Sequence, residues 1–159
     1  MSAENTAKAA RITPETGEGE VFAGRPRTLS FERMLAFSGG LFAAEGWPAR
    51  NLHTDPGMAA EAGLEAPLAS GLQYQGYLIA LLIDLFGDAW LRHGAMHVKF
   101  PRTVSVGDVV QAKVRVRAKR HQDTAVMFEL DAWCETQADE TVLVGTASCA
   151  LPVGRDAVR

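Results

Sequence analysis

Two short stretches carry the residue types that chemistry needs. Asn51-Leu52-His53-Thr54-Asp55-Pro56 sets a histidine just ahead of a capped helix, and Ala69-Ser70-Gly71 opens a long apolar segment. A histidine titrates near neutral pH and so suits proton transfer. Gly71, at the start of a helix, offers free backbone N–H groups and the positive end of the helix dipole to an oxygen that gains charge. Together they fit a reaction at a carbonyl compound, one group moving a proton while the other holds the oxygen. Each has a plainer alternative: a histidine without chemistry, and a tight turn.

The other candidates surround these two. Asn51 can position water or a substrate carbonyl, or it can satisfy the backbone of its own turn. Asp55 is two residues from His53, but its place as a helix cap explains it fully. Glu45 lies in an irregular loop over residues 41–52, with Gly46, Trp47 and Pro48 at its centre. It is either a carboxylate for the site or a solvent-exposed glutamate. Trp47 walls a pocket or fills the core. Ser70, Gln73 and Tyr74 stand beside Gly71 and are expected to line the pocket. The polar ends of Gln73 and Tyr74 need partners in any case. His97 shares a strand with the apolar row Met96, Val98 and Phe100, and is expected to face away from it.

The elements that must hold these residues follow from pattern. Residues 1–20 lack a sustained apolar period and read as a mobile tail or an extended arm over the domain. The domain is expected over residues 21–159. Ser30 caps a helix from Phe31 to Phe37, which Ser38-Gly39-Gly40 ends. Asp55 and Pro56 start a short helix that Gly63 stops. Gly71 to Phe86 is the next helix; from Tyr77 to Phe86 only Asp84 is charged. A helix so apolar is expected to be buried nearly all round. Four strand candidates come after it: around Met96–Phe100, Val110–Ala118, Val126–Cys134 and Val142–Leu151. Helices followed by a run of antiparallel strands make an α+β pattern.

Composition narrows the function. The chain has 159 residues, 47% of them hydrophobic, as suits one globular domain. Its net charge of −3 argues against nucleic acid as a partner. Lys113, Arg115, Arg117, Lys119 and Arg120 form a local basic run. Alternate positions mark the solvated face of a strand, with an anionic, phosphate-bearing ligand as the second reading. Cys134 and Cys149 have no metal-ligand or redox spacing and read as small buried side chains in a reducing cytosol. No secretory signal and no membrane span is expected, so the expected location is the cytoplasm.

With these motifs in hand, residues 28–152 resemble the MaoC-like acyl dehydratases, the hot-dog-fold family that includes the (R)-specific enoyl-CoA hydratases. The resemblance rests on His53-Thr54-Asp55-Pro56 with Ala59-Ala60, and on Ala69-Ser70-Gly71 before the central helix. Val98-Lys99-Phe100, Val106-Gly107-Asp108-Val109 and Val144-Gly145-Thr146-Ala147 add to it. It implies a single hot-dog domain, a curved antiparallel sheet wrapped round a long buried central helix. The family signature is D-x-N-P-x-H, whose aspartate and histidine act together on water. His53 matches the histidine, but Pro48 stands where the aspartate would be.

The resemblance implies an acyl-CoA hydratase or dehydratase, a lyase, with His53 as acid and base and the Gly71 N–H as oxyanion donor. Glu45, or a water held by Asn51, would replace the aspartate. Trp47, Ser70, Gln73 and Tyr74 would bind substrate. No metal or redox cofactor is implied, and coenzyme A belongs to the substrate. Two such domains are expected to pair as a homodimer or build a higher homo-oligomer. The alternatives are a hot-dog thioesterase, a non-catalytic acyl-thioester-binding subunit and, more remotely, a specialised lyase or isomerase.

Overall fold

The computed structural model describes residues 11–39, 45 and 50–153. Along the chain come β1 (Val21–Ala23), β2 (Arg27–Thr28), α1 (Phe31–Ser38), α2 (Pro56–Glu61), α3 (Gly71–Phe86) and α4 (Asp88–His93). Then follow β3 (Gly94–Lys99), β4 (Val109–His121), β5 (Ala125–Thr136) and β6 (Thr141–Pro152). The strands form one antiparallel sheet in the order β1-β4-β5-β6-β3, with β2 also pairing β4.

Period-two patterning decides which face of this sheet meets the core. Val110, Ala112, Val114 and Val116 of β4, and Val126, Phe128, Leu130, Ala132 and Cys134 of β5, are buried. Each large apolar side chain among them contributes about 1.5–3 kcal/mol by leaving water. The opposite face carries the basic run, and there the charges are paired across strands. Arg115 meets Asp131 at 2.8 Å and Arg117 meets Glu129 at 3.0 Å, while Lys113 pairs with Glu135 and Arg120 with Glu129. These cations occupy a solvated face, as alternation predicts. The two cysteines are free and buried. Burial pushes the Cys134 thiol up to about 12 and the Cys149 thiol to about 11, which suppresses the reactive thiolate.

Helix α3 lies in the concave face. Tyr74, Leu78, Leu81, Leu82, Leu85 and Phe86 are buried there, and Phe86 meets Phe128 edge-on at 5.9 Å. A curved sheet wrapped round this helix is the hot-dog arrangement the resemblance implies. Burial is less complete than the apolar sequence predicts, because Leu72 is 62% exposed.

The helix caps follow the sequence. The Ser30 hydroxyl accepts from Arg33 N–H, and the Asp55 carboxylate accepts from Met58 N–H with Pro56 behind it. Three elements were not anticipated: β1, β2 and α4. Gly87, at φ 61°, ends α3 and turns the chain directly into α4. Of the expected N-terminal tail, residues 1–10 lie outside the described residues. Residues 11–20 run over the domain. Ile12 is buried with its N–H on Leu85 O at 3.0 Å, and Gly19 N–H meets Val116 O at 2.8 Å. The Lys119 ammonium donates to Pro14 O and Thr16 O at 3.0 and 2.8 Å. Among the described residues no helix is long and apolar enough to cross a membrane.

Candidate functional site

Asn51 organises the turn that presents His53. Its backbone carbonyl accepts from the N–H groups of Thr54 and Asp55 at 3.0 and 2.9 Å. Its side-chain oxygen accepts from His53 N–H at 2.9 Å, and its amide donates to Ser38 O, at the end of α1, at 2.9 Å. Both ends of the side chain are therefore engaged, and Asn51 ties the histidine turn to α1.

The imidazole itself is oriented by a backbone group. His53 Nδ1 lies 2.8 Å from Leu68 O. A carbonyl oxygen only accepts, so Nδ1 carries the proton of the neutral ring and Nε2 keeps a lone pair. This bond also joins the histidine turn to the segment that leads into α3. Leu68 bridges Ser105, and Ala69 N–H donates to Val104 O at 2.8 Å, so that segment is held against the connection between β3 and β4.

The segment ends at Ser70 and Gly71. Ser70 is the N-cap of α3, yet its hydroxyl makes no capping bond. Gly71 is the first residue of the 16-residue helix, so its N–H has no acceptor within the helix. A Cβ at this position would lie 3.0 Å from two ring carbons of Phe100. Glycine lets that ring close over the start of the helix, where it also meets Tyr74 edge-on at 5.6 Å.

His53, Ser70, Gly71 and Tyr74 all line one cavity of about 750 Å³, a size ordinary for a small-molecule site. Burial raises the Tyr74 phenol above its usual range and keeps it neutral. Phe100, Pro101, Arg102, Thr103 and Glu140 complete one wall. Of these five only Phe100 stands in a sequence motif, and none is marked there as a pocket residue.

The remaining candidates lie elsewhere. Gln73 is buried but turns toward α1, its amide donating to Arg33 O at 3.4 Å and to Tyr77 Oη at 3.3 Å. Among the described residues its side-chain oxygen has no partner. Glu45 is exposed in a turn and is not part of the cavity wall. Trp47 lies outside the described residues. His97 is exposed on β3, on the face opposite Met96 and Val98.

Asp55 has both oxygens in use, one on Met58 N–H at 3.0 Å and one on Arg50 Nε at 2.6 Å. The Arg50 hydrogen bond, aided by Met58 N–H, holds its carboxyl down at about 2. The contribution of a depressed carboxyl is complete above about pH 4, its unfolded range, and is lost as pH falls toward the folded value. Asp55→Asn keeps a capping oxygen but not the charge. Acid unfolding followed by circular dichroism should therefore fall more steeply in the parent than in Asp55→Asn below about pH 4. Parallel curves would place the acid response in other groups.

Comparison with known proteins supplies the context for this geometry. A family model described as the MaoC-like domain matches residues 41–132. No curated protein matches the chain. Among solved structures, the (R)-hydratase from A. caviae involved in PHA biosynthesis is 24% identical. The match covers 88% of this chain and 100% of that one, with a TM-score of 0.69. The R-hydratase PhaJ1 from Pseudomonas aeruginosa is 19% identical over 88% and 84% of the two chains, with a TM-score of 0.68. A MaoC-like dehydratase from Rhodospirillum rubrum is 16% identical over 87% and 94%, with a TM-score of 0.70. At these identities the likeness establishes a shared fold.

Proposed function

The chain belongs to the MaoC-like domain family, and from that premise we propose that it is a hydratase or dehydratase of acyl thioesters. The observation that carries this reading is the bond from His53 Nδ1 to Leu68 O. It leaves Nε2 as a base in a cavity that also holds the Gly71 N–H, which has no acceptor among the described residues.

In the hydration direction the thioester carbonyl accepts from Gly71 N–H at the positive end of α3. His53 Nε2 takes a proton from water as the water oxygen bonds to the β-carbon. The double-bond electrons move toward the carbonyl, and charge on its oxygen strengthens the Gly71 hydrogen bond more in the transition state than in the ground state. The imidazolium then returns its proton to the α-carbon. Asn51 acts through His53 as a positioning residue. Glu45, exposed and outside the cavity wall, takes no step in this mechanism, and the place of the family's aspartate goes to a water beside His53. No cofactor takes part beyond the coenzyme A of the substrate.

The proposal includes a homodimer. It is supported by the outer edge of β3, which is unpaired among the described residues, and by exposed Leu72 and Phe100 beside the cavity. A second reading, a non-catalytic acyl-thioester-binding subunit, draws on the Asp55 geometry. That carboxylate is committed to Arg50 and Met58, and among the described residues no carboxylate bonds to His53.

Crotonyl-CoA tests the proposal. Purified protein is expected to remove the conjugated enoyl absorbance without releasing thiol. Release of free thiol would make the protein a thioesterase instead. Saturable binding without either change would favour the binding subunit.

A further inference from the structure

The pairing of Leu68 with Ser105, and of Ala69 N–H with Val104 O, fixes a register between two segments. Beyond this isolated bridge the two segments run on to Gly71 and to Arg102, and both residues line the same cavity. The Phe100 ring, which a Cβ on Gly71 would meet at 3.0 Å, brings the Arg102 segment's side chains to the start of α3. Arg102 therefore shares one cavity with the Gly71 N–H, the group proposed above to hold the thioester oxygen.

Arg102 is also the one permanent cation lining the cavity among the described residues. Its Nη1 donates to Glu140 Oε1 at 2.5 Å. The two side chains are 59% and 54% exposed, so the pair is held weakly against exchange. The bound Glu140 carboxylate marks where an oxyanion sits on this guanidinium. Coenzyme A phosphates fit the position poorly, because the full pantetheine arm separates them from the thioester carbonyl. A carboxylate at the far end of a short acyl group lies within a few bonds of that carbonyl.

We propose that Arg102 is a specificity-determining residue that binds such a carboxylate, so that the site prefers thioesters of short dicarboxylic acids. Glu140 occupies the position until substrate displaces it. This rests on the acyl-thioester reading of the cavity given above.

The test is calorimetric binding of two N-acetylcysteamine thioesters, succinyl and butyryl, to the full chain. Neither carries a phosphate and neither has a double bond to hydrate. The succinyl ester is expected to bind at least about tenfold tighter than the butyryl ester. The ratio should collapse toward one in Arg102→Gln. Glu140→Gln, which weakens the internal competitor, should raise succinyl affinity severalfold.

A ratio near one in the parent protein overturns the proposal, as does a ratio that Arg102→Gln leaves in place. It is equally overturned if Arg102→Gln weakens coenzyme A thioesters of both acids alike and spares both N-acetylcysteamine esters. That result would give the arginine to the phosphates. Binding is read without turnover, so the outcome is separate from catalysis. A succinyl preference in a protein that hydrates no enoyl thioester would remove the proposed function and leave this inference standing.

Discussion

His53→Ala is expected to lower kcat for enoyl-thioester hydration by about 10²- to 10⁴-fold, the usual worth of a positioned acid–base group. The effect should fall on kcat more than on KM. In the proposed mechanism Gly71 N–H would still hold the carbonyl in the variant, while the group that moves the proton is gone. Some stability is lost as well, because Leu68 O loses its donor, at a cost of about 1 kcal/mol. His53→Asn separates the two roles. Its amide supplies a donor for Leu68 O but no base, so it should recover stability and stay as inactive as His53→Ala. Hydration at the parent rate by either variant would remove His53 from the chemistry.

Gly145→Ala is expected to destabilise the fold by on the order of 4 kcal/mol, lowering Tm by about 10 °C in a chain of this length. Gly145 on β6 faces Val98 on β3. An added Cβ would lie 2.0 Å from His97 O and 2.8 Å from Val98 Cα, and backbone atoms cannot step aside as a flexible side chain can. β3 must move off β6 to admit even one methyl group. The same change at Gly76 is the contrast. That glycine sits inside α3, its added Cβ meets nothing within 4 Å, and alanine there should raise stability by up to about 1 kcal/mol. Equal melting curves for the parent and Gly145→Ala would mean that β3 is not held in this register.

How far the sequence reached depended on element length. α3 was legible because its apolar run is long and Ser70-Gly71 marks its start. β4 and β5 were legible because each keeps period two along its length, and β6 because Val142–Leu151 is a largely apolar run after a hairpin turn. β1 and β2 have three and two residues, too few to show any period. They exist because β4 offers them a hydrogen-bonding edge. α4 was hidden because Gly87-Asp88 reads as a turn, and the chain does turn there before it re-enters a helix.

The candidate site divides in the same way. His53, Ser70, Gly71 and Tyr74 sit in local motifs and meet at one cavity. Arg102 and Glu140 reach that cavity through strand register and a hairpin, which no local window contains. Asp55 was separated from the chemistry by its cap position, and its bonds to Arg50 and Met58 give the physical reason.

The two flanks of the sheet are unlike. On one side β4 is covered by β1 and β2, short pieces interrupted by Gly24-Arg25-Pro26, where a proline without an N–H and a charged side chain discourage a further strand. On the other side the outer edge of β3, six residues long, is unpaired among the described residues. Two copies that join β3 to β3 across a twofold axis consume both receptive edges, and what remains outside is blunt at each end. In the homodimer proposed above, the same asymmetry that admits one partner would stop growth toward a fibre.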